Sequence, residues 1–167
     1  MSRWSLPVLG LVLMASAALG GCGFTPLYAT PGVTPALESV DVVAPDGRAG
    51  FLVRDELQDA LARDRSAAAR YRLTYTVHQL KYPRGLRVNN IATGYELDLT
   101  VDYALTEIAT GTVVYRGNAP VQVSYNSADA PYAGIAAQQD AEQRAAQQAA
   151  VLIRLDLSRY FLQTAKK

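Results

Sequence analysis

Strict two-residue alternation dominates the second half of this chain, and it restricts the chain to folds that contain a sheet. Apolar residues recur at odd positions in three stretches, 71–77, 95–105 and 113–125, and polar residues fill most of the even positions. Alternation of this length is typical of strands that bury one face and leave the other face wet. The polar face of the predicted sheet then carries eight residues: Arg72, Thr76, His78, Glu96, Asp98, Asp102, Arg116 and Gln122.

The alternation of apolar odd positions and polar even positions also predicts how the last two strands pair. A three-residue loop at 109–111 sets Leu105 opposite Tyr115 and brings inner apolar residues together, whereas a two-residue loop sets buried positions against exposed ones. The glycine at the last position of this loop then needs a left-handed conformation and a bulge. In this register Tyr103 lies opposite Gly117, so that an aromatic ring covers a glycine.

The earlier hairpin has a longer predicted tip, over residues 81–90, which is rich in basic side chains. One register that keeps like faces together sets Arg72 opposite Asp102 and His78 opposite Glu96. Cross-strand pairs of this kind contribute about 0.2–1 kcal/mol each.

Other patterns flank the three strands. Residues 37–43 form a short predicted strand, and apolar residues at helical spacing predict a helix over 51–64. Pro120 lacks an amide donor, which predicts that its strand lies at an edge or contains a bulge. A second helix is predicted from about residue 132 to residue 161, with a small-residue stripe made of Ala141, Ala145, Ala149, Leu152 and Leu155.

These elements predict an α+β fold with the order βαβββα. Two amphipathic helices and one half-apolar sheet leave one economical arrangement, because both helices must bury their apolar stripes. We therefore expect a two-layer sandwich in which both helices pack on one face of a four-stranded mixed sheet. The domain predicted in this way spans residues 37–165.

The N-terminus has the three parts of a secretory signal peptide. Arg3 precedes an apolar run over residues 6–21, and the end of this run consists of small residues before a cleavage point. The run is shorter than the roughly 20 apolar residues of a spanning helix, which argues against a transmembrane anchor. Residues 1–21 are therefore predicted to be removed from the mature protein.

The stretch Leu19-Gly20-Gly21-Cys22 resembles the bacterial lipobox, and it holds the only cysteine of the chain. That resemblance implies that Cys22 carries an N-acyl diacylglycerol group, and no other cofactor is expected. Several acyl chains on one residue would make the membrane anchor effectively permanent. The prolines that follow predict a lipidated flexible tether over residues 22–36. The alternative is an ordinary signal peptide followed by a free, buried cysteine.

Charge is balanced overall but not along the chain. Removal of Arg3 leaves 15 of the 16 basic residues against 15 acidic ones, which argues against non-specific nucleic-acid binding. Between Arg65 and Tyr95 there is no acidic residue, although six basic ones occur there. Within this region we expect the hairpin tip to bind phosphate groups, since Arg suits them geometrically, and the alternative is a solvated loop. The candidate binding residues are Lys81, Arg84 and Arg87.

No constellation in the sequence supports catalysis or a metal site. His78 is the only histidine, and neither a second histidine nor a nearby cysteine accompanies it. The sequence contains no GxSxG, HExxH or glycine-rich phosphate loop. We therefore expect no catalytic residue, no metal and no enzymatic activity. The inner-face tyrosines are expected to pack in the core.

Taken together, these features resemble one family. The stretches "GCGFTPLY", "YELDLTVDYALTE" and "DAEQRAAQQAAVLIRLDLSRYF" are similar to the LptE family of lipopolysaccharide-assembly lipoproteins. The first stretch is fairly specific, and the rest of the resemblance is one of pattern.

This resemblance implies an outer-membrane lipoprotein, anchored by lipid at the periplasmic face, that forms a heterodimer with the LptD β-barrel and plugs its lumen. It further implies help in delivering lipopolysaccharide to the outer leaflet, with possible lipopolysaccharide binding and no catalytic activity. Two alternatives stay open at this point: an auxiliary subunit of a lipid transporter, and a secretion pilot that escorts another barrel.

Overall fold

The computed structural model of the chain describes residues 32–86, 92–127 and 130–165. Within these residues, three helices and four strands follow each other in the order αβαβββα. The predicted α+β fold is confirmed, with one additional short helix at its start. The elements are α1 (Val33–Glu38), β1 (Val40–Val43), α2 (Arg48–Leu61), β2 (Tyr71–Leu86), β3 (Ala92–Glu107), β4 (Val113–Asn126) and α3 (Pro131–Ala165).

The four strands form one mixed sheet in the order β1-β2-β3-β4. β1 runs parallel to β2, and the other two pairs are antiparallel. Because β1 has only four residues, it covers β2 from Tyr71 to Thr74 and no further. Pro120 lies in β4, which is an edge strand as its missing amide predicts.

The predicted register of β3 and β4 is confirmed along most of their length. Leu105 pairs with Tyr115 and Tyr103 pairs with Gly117. The inner apolar residues therefore meet, as the alternation requires when one face of a sheet is buried.

The loop between these strands is one residue longer than predicted. The Glu107 amide donates to the Thr112 carbonyl at 2.9 Å, and the Gly111 amide donates to the Glu107 carbonyl at 2.9 Å. These bonds close a four-residue loop at 108–111, with Gly111 at φ 68° as predicted. A register shift at Leu105/Thr106 leaves Val114 as an extra residue in β4. Because of this extra residue, inner residues of β3 again pair with inner residues of β4.

The predicted register of β2 and β3 is wrong by four residues. Arg72 pairs with Thr106 and His78 pairs with Thr100, because β2 continues as a strand to Leu86 instead of entering a loop near residue 81. The alternation hides this continuation, since the inner positions after Val77 are polar. Backbone pairing extends the hairpin beyond the part of the sheet that needs apolar side chains.

α1 occupies part of the predicted tether and shortens the predicted first strand. The helix begins after Gly32, whose φ of 97° suits glycine, and it accommodates a proline in its first turn. Val33 and Leu37 are buried in the core, so the packed domain begins earlier than residue 37. The signal peptide, Cys22 and the tether up to residue 31 lie outside the described residues.

α2 and α3 pack on the apolar face of the sheet, as predicted. α2 begins and ends three residues earlier than predicted, and Ala62 ends it in a left-handed conformation at φ 49°. On α3 the predicted position Leu152 is wrong, since this residue is 38% exposed, and Leu155 is only half-buried. The buried residues instead follow steps of four, as expected for a helix that crosses a twisted sheet: Ala141, Ala145, Ala149, Ile153, Leu157 and Phe161.

Candidate functional site

The face of the sheet opposite α2 and α3 is uncovered by any described element, and we call its β2–β4 side chains the polar sheet face. All eight residues predicted for a polar face lie on it. The structure adds side chains at the remaining outward positions that the sequence analysis did not single out. These include Thr74, Leu80, Tyr82, Thr100, Asn118 and Ser124.

Cross-strand hydrogen bonds fix the directions of polar side chains on this face. Asn118 donates from Nδ2 to Asp102 Oδ1 at 2.6 Å, and Gln122 donates from Nε2 to Asp98 Oδ1 at 3.1 Å. His78 Nε2 lies 3.7 Å from Asp102 Oδ2, which is an ion pair when His78 is protonated. The face therefore presents ordered hydrogen-bonding groups to a polar partner surface.

A shallow depression of about 430 Å³ lies in the middle of the polar sheet face. Small side chains such as Thr74, Thr76 and Ala104 form its floor, and the longer Asp102 and Arg116 contribute to its lining. Its lining offers both a carboxylate and a guanidinium, which can form hydrogen bonds with polar groups of a partner.

The structure separates two of the three predicted phosphate-binding residues. Lys81 lies on the helical side of the sheet, where Nζ is 3.5 Å from Gln138 Oε1 and 5.1 Å from the Tyr95 ring centre. Arg84 lies on the polar sheet face and forms a two-pronged ion pair with Glu96, with Nε 3.1 Å from Oε2. Arg87 lies outside the described residues.

The ion pair changes the electrostatic character of Arg84. Hydrogen bonding to Glu96, together with its negative charge, raises the pKa of the Arg84 guanidinium. The same carboxylate offsets the positive charge that a phosphate group would meet. Among the described residues, no carboxylate lies within ion-pair distance of Lys81, in contrast to Arg84.

The sheet is backed by buried tyrosines, which confirms their predicted packing role. Tyr75 donates from its hydroxyl to the Gly50 carbonyl at 2.8 Å, and Tyr103 donates to Asp156 Oδ2 at 3.0 Å. Burial raises the pKa of both hydroxyls, and the Asp156 carboxylate adds to the effect at Tyr103. These bonds tie the sheet to α2 and α3.

The described residues show neither a metal-binding cluster nor a membrane-spanning helix. They contain no group of three or more histidine, cysteine or acidic side chains that could hold a metal ion. No helix among them combines the length and the apolar character that crossing a bilayer requires.

Comparison with known proteins assigns the fold to a family. The sequence model of LptE, described as lipopolysaccharide-assembly, matches residues 37–157. The chain belongs to the LptE family, and it is accordingly a lipopolysaccharide-assembly lipoprotein. Membership of this family also confirms the expectation that the chain is not an enzyme.

Solved structures show the same fold. The crystal structure of a candidate lipoprotein from Caulobacter crescentus CB15 matches with a TM-score of 0.69 and 43% identity, covering 81% of this chain and 98% of that one. The solution structure of lipoprotein B from Nitrosomonas europaea matches with a TM-score of 0.53 and 15% identity, covering 75% of this chain and 83% of that one. The search of curated proteins found no match.

Proposed function

We propose that this chain is an outer-membrane lipoprotein that forms a heterodimer with the LptD β-barrel and fills its lumen. The observation that carries the proposal is the polar sheet face, on which three long strands present polar side chains and no described element covers them. The lumen of an outer-membrane barrel is polar. A plug for such a lumen needs an exterior that hydrogen-bonds, and the paired amides and carboxylates of this face provide one.

The proposal assigns the anchor to Cys22, which would carry the N-acyl diacylglycerol at the periplasmic face of the outer membrane. The family assignment and the lipobox-like sequence before Cys22 support this assignment. A covalent anchor would hold the domain at the membrane surface and raise its effective concentration near a barrel. The domain itself would then need only modest affinity for its partner.

A pulldown from membranes in mild detergent tests the proposal directly. We expect a large outer-membrane barrel to co-purify with the tagged protein, and mass spectrometry identifies it. Recovery of a lipid transporter or a secretion barrel instead would contradict the assignment to LptD. Recovery of the protein without any barrel would contradict the plug.

Site-specific crosslinking tests which surface meets the barrel. A photoreactive residue at Thr76 or Gln122, both exposed on the polar sheet face, is expected to crosslink to the barrel in high yield. The matched control is Asp59, which is exposed on the opposite layer in α2. A high yield from Asp59 with none from the two strand positions would overturn the proposed orientation.

The proposal also includes binding of lipopolysaccharide phosphates by Lys81, Arg84 and Arg87. The separation of Lys81 from Arg84 predicts unequal effects, with Lys81→Gln weakening binding more than Arg84→Gln because Glu96 already pairs with Arg84. Purified lipopolysaccharide and the triple Gln variant test the set, with Arg65, Arg70 and Arg159 changed to Gln as the charge-matched control. Equal affinity of the triple variant and the wild-type protein would reject this role.

A further inference from the structure

β2 has a long free edge, because its neighbour β1 is much shorter. β1 pairs with Tyr71–Thr74 and ends at Val43, while β2 continues to Leu86. No described strand pairs with the outer side of β2 beyond Thr74. The place in line with β1, beside residues 75–82, is therefore empty in the described part of the chain.

The direction of the backbone groups on this free edge follows from the contacts at the start of β2. The Tyr71 amide donates toward β1, to the Ser39 carbonyl at 3.3 Å. Backbone groups in a strand alternate sides, so every second residue points the same way. Tyr75, Val77, Gln79 and Lys81 therefore direct their amides and carbonyls outward, at a repeat of about 6.8 Å.

The side chains along this edge are open to solvent. All residues from His78 to Gly85 are exposed, and two of them are large apolar residues on the polar sheet face. Leu80 is 59% exposed and Tyr82 is 43% exposed. The edge thus offers a row of backbone groups together with apolar side chains that an added strand would cover.

The other edge of the same sheet is protected. On β4, Pro120 has no amide to offer, and Arg144 Nη2 lies 3.4 Å from the Ser124 carbonyl. Proline and long cations on an edge are devices that block strand addition. On β2 the first proline is Pro83, and the only long cation within residues 75–82 is Lys81, whose Nζ lies over the helical side of the sheet, 3.5 Å from Gln138 Oε1.

We propose that the free edge of β2 over residues 75–82 accepts an extended, acidic segment of a partner polypeptide as a fifth strand, collinear with β1. Only an extended backbone matches a regular row of alternating donors and acceptors, which distinguishes a polypeptide from a lipid or a sugar. The inference rests on the proposed function only for the identity of the partner, which would be the co-purifying barrel.

Charge specifies the acidic character of the segment. Residues 75–82 carry Lys81 and, when it is protonated, a positive His78, and they include no acidic residue. Opposite charges on paired strands stabilise the pair and like charges destabilise it. A second copy of this chain, pairing through its own β2, would set cations against cations, so the edge selects a different and acidic partner.

Proline substitution at an outward-facing position tests the edge without breaking the sheet. Gln79→Pro removes an amide that points away from β3, whereas Gln79→Ala removes the same side chain and keeps the amide. We expect Gln79→Ala to recover as much barrel as the wild-type protein, and Gln79→Pro to recover about tenfold less, the loss that corresponds to roughly 1.4 kcal/mol. Urea unfolding of the isolated variants checks that Gln79→Pro is folded.

Hydrogen exchange on the unmodified protein gives a second readout that does not depend on the variant. The amides of Val77, Gln79 and Lys81 should exchange rapidly in the isolated chain and become protected in the complex. Protection already present in the free, monomeric chain would overturn the proposal, since the edge would then be occupied from within. Equal rates in the two states, or full recovery of barrel by Gln79→Pro, would also overturn it.

These outcomes separate the two proposals. Failure of the wild-type protein to recover any barrel contradicts the proposed function. Recovery of barrel with unprotected amides leaves the proposed function in place and rejects strand addition. A dimer of this chain, detected by light scattering and lost in Gln79→Pro, would show that a second copy is the occupant and would reject the acidic partner.

Discussion

At the scale of single residues, one glycine of the sheet is covered by the aromatic side chain of the neighbouring strand. Tyr103 is 3% exposed and lies across Gly117 of the neighbouring strand. A Cβ on Gly117 would overlap the Tyr103 ring at Oη and Cζ. Because the Tyr103 hydroxyl also donates to Asp156, the ring cannot swing away without losing a partly buried hydrogen bond.

We therefore expect Gly117→Ala to lower the free energy of unfolding by about 1–3 kcal/mol, the usual cost of overpacking a core. Urea unfolding measures the change. In a Tyr103→Leu background the smaller side chain makes room for the added methyl group, so the same substitution should cost much less. An equal cost in both backgrounds would show that the destabilisation does not arise from the ring.

The buried tyrosines make stability depend on pH in the alkaline range. Burial raises the pKa of Tyr75 and Tyr103 above the value of about 10 in the unfolded chain. Above pH 10 the unfolded state releases these protons and the folded state keeps them, so the free energy of unfolding falls as pH rises. Each group contributes a slope of about 1.4 kcal/mol per pH unit.

Urea titrations between about pH 9 and pH 11.5 measure this slope. The Tyr75→Phe and Tyr103→Phe variants should each show a shallower fall than the wild-type protein. Ultraviolet absorbance should show that both hydroxyls ionise only when the protein unfolds. A slope that neither substitution changes would assign the alkaline loss of stability to other groups.

At the scale of elements, the alanines of α3 set how closely this helix approaches its neighbours. Ala141, Ala145 and Ala149 are fully buried. Small side chains at these positions allow close contact, and interiors packed to this density have no room for larger ones.

Ala145→Leu is expected to lower the free energy of unfolding by about 1–3 kcal/mol, because the added side chain overpacks the helix interface. The matched control is Ala136→Leu, which makes the same change at an exposed position of the same helix and should stay within about 0.5 kcal/mol. Thermal or urea unfolding compares the two. Equal effects at both sites would contradict close packing at Ala145.

The strands also show which features of the fold could be predicted from the sequence. The parity of β3 and β4 could be predicted, because burial of one face forbids a one-residue slip. The length of their loop could not, since a longer loop and the bulge at Val114 give the same parity. The register of β2 and β3 was missed because Gln79 and Lys81 interrupt the alternation while the backbone continues to pair.

Some features of the candidate site could be predicted from the sequence and others could not. All eight predicted polar-face residues lie on one face, because the two-residue period of a strand alone determines the face on which each side chain lies. The separation of Lys81 from Arg84 was not predicted, because the sequence analysis placed both residues in a loop, whereas residues an odd number apart on one strand point to opposite faces. The free edge of β2 leaves no signal in the sequence, because it depends on where β1 ends.

At the scale of the whole molecule, the proposed lipid anchor decides where the domain can work. Cys22→Ser should abolish labelling by radioactive palmitate and move the protein out of the outer-membrane fraction of a density gradient. Globomycin treatment of wild-type cells should cause the precursor to accumulate, since it blocks the peptidase. Labelling that persists in Cys22→Ser would contradict lipidation at this residue.

α3 is a helix of 35 residues, and this number sets its length. At 1.5 Å per residue the helix measures about 52 Å, whereas the hydrocarbon core of a bilayer is about 30 Å thick. A plug standing upright in its barrel would therefore overhang the hydrophobic slab by roughly 20 Å in all. A molecule that enters or leaves such a pore would contact the projecting end of this helix before it contacts the wall of the channel.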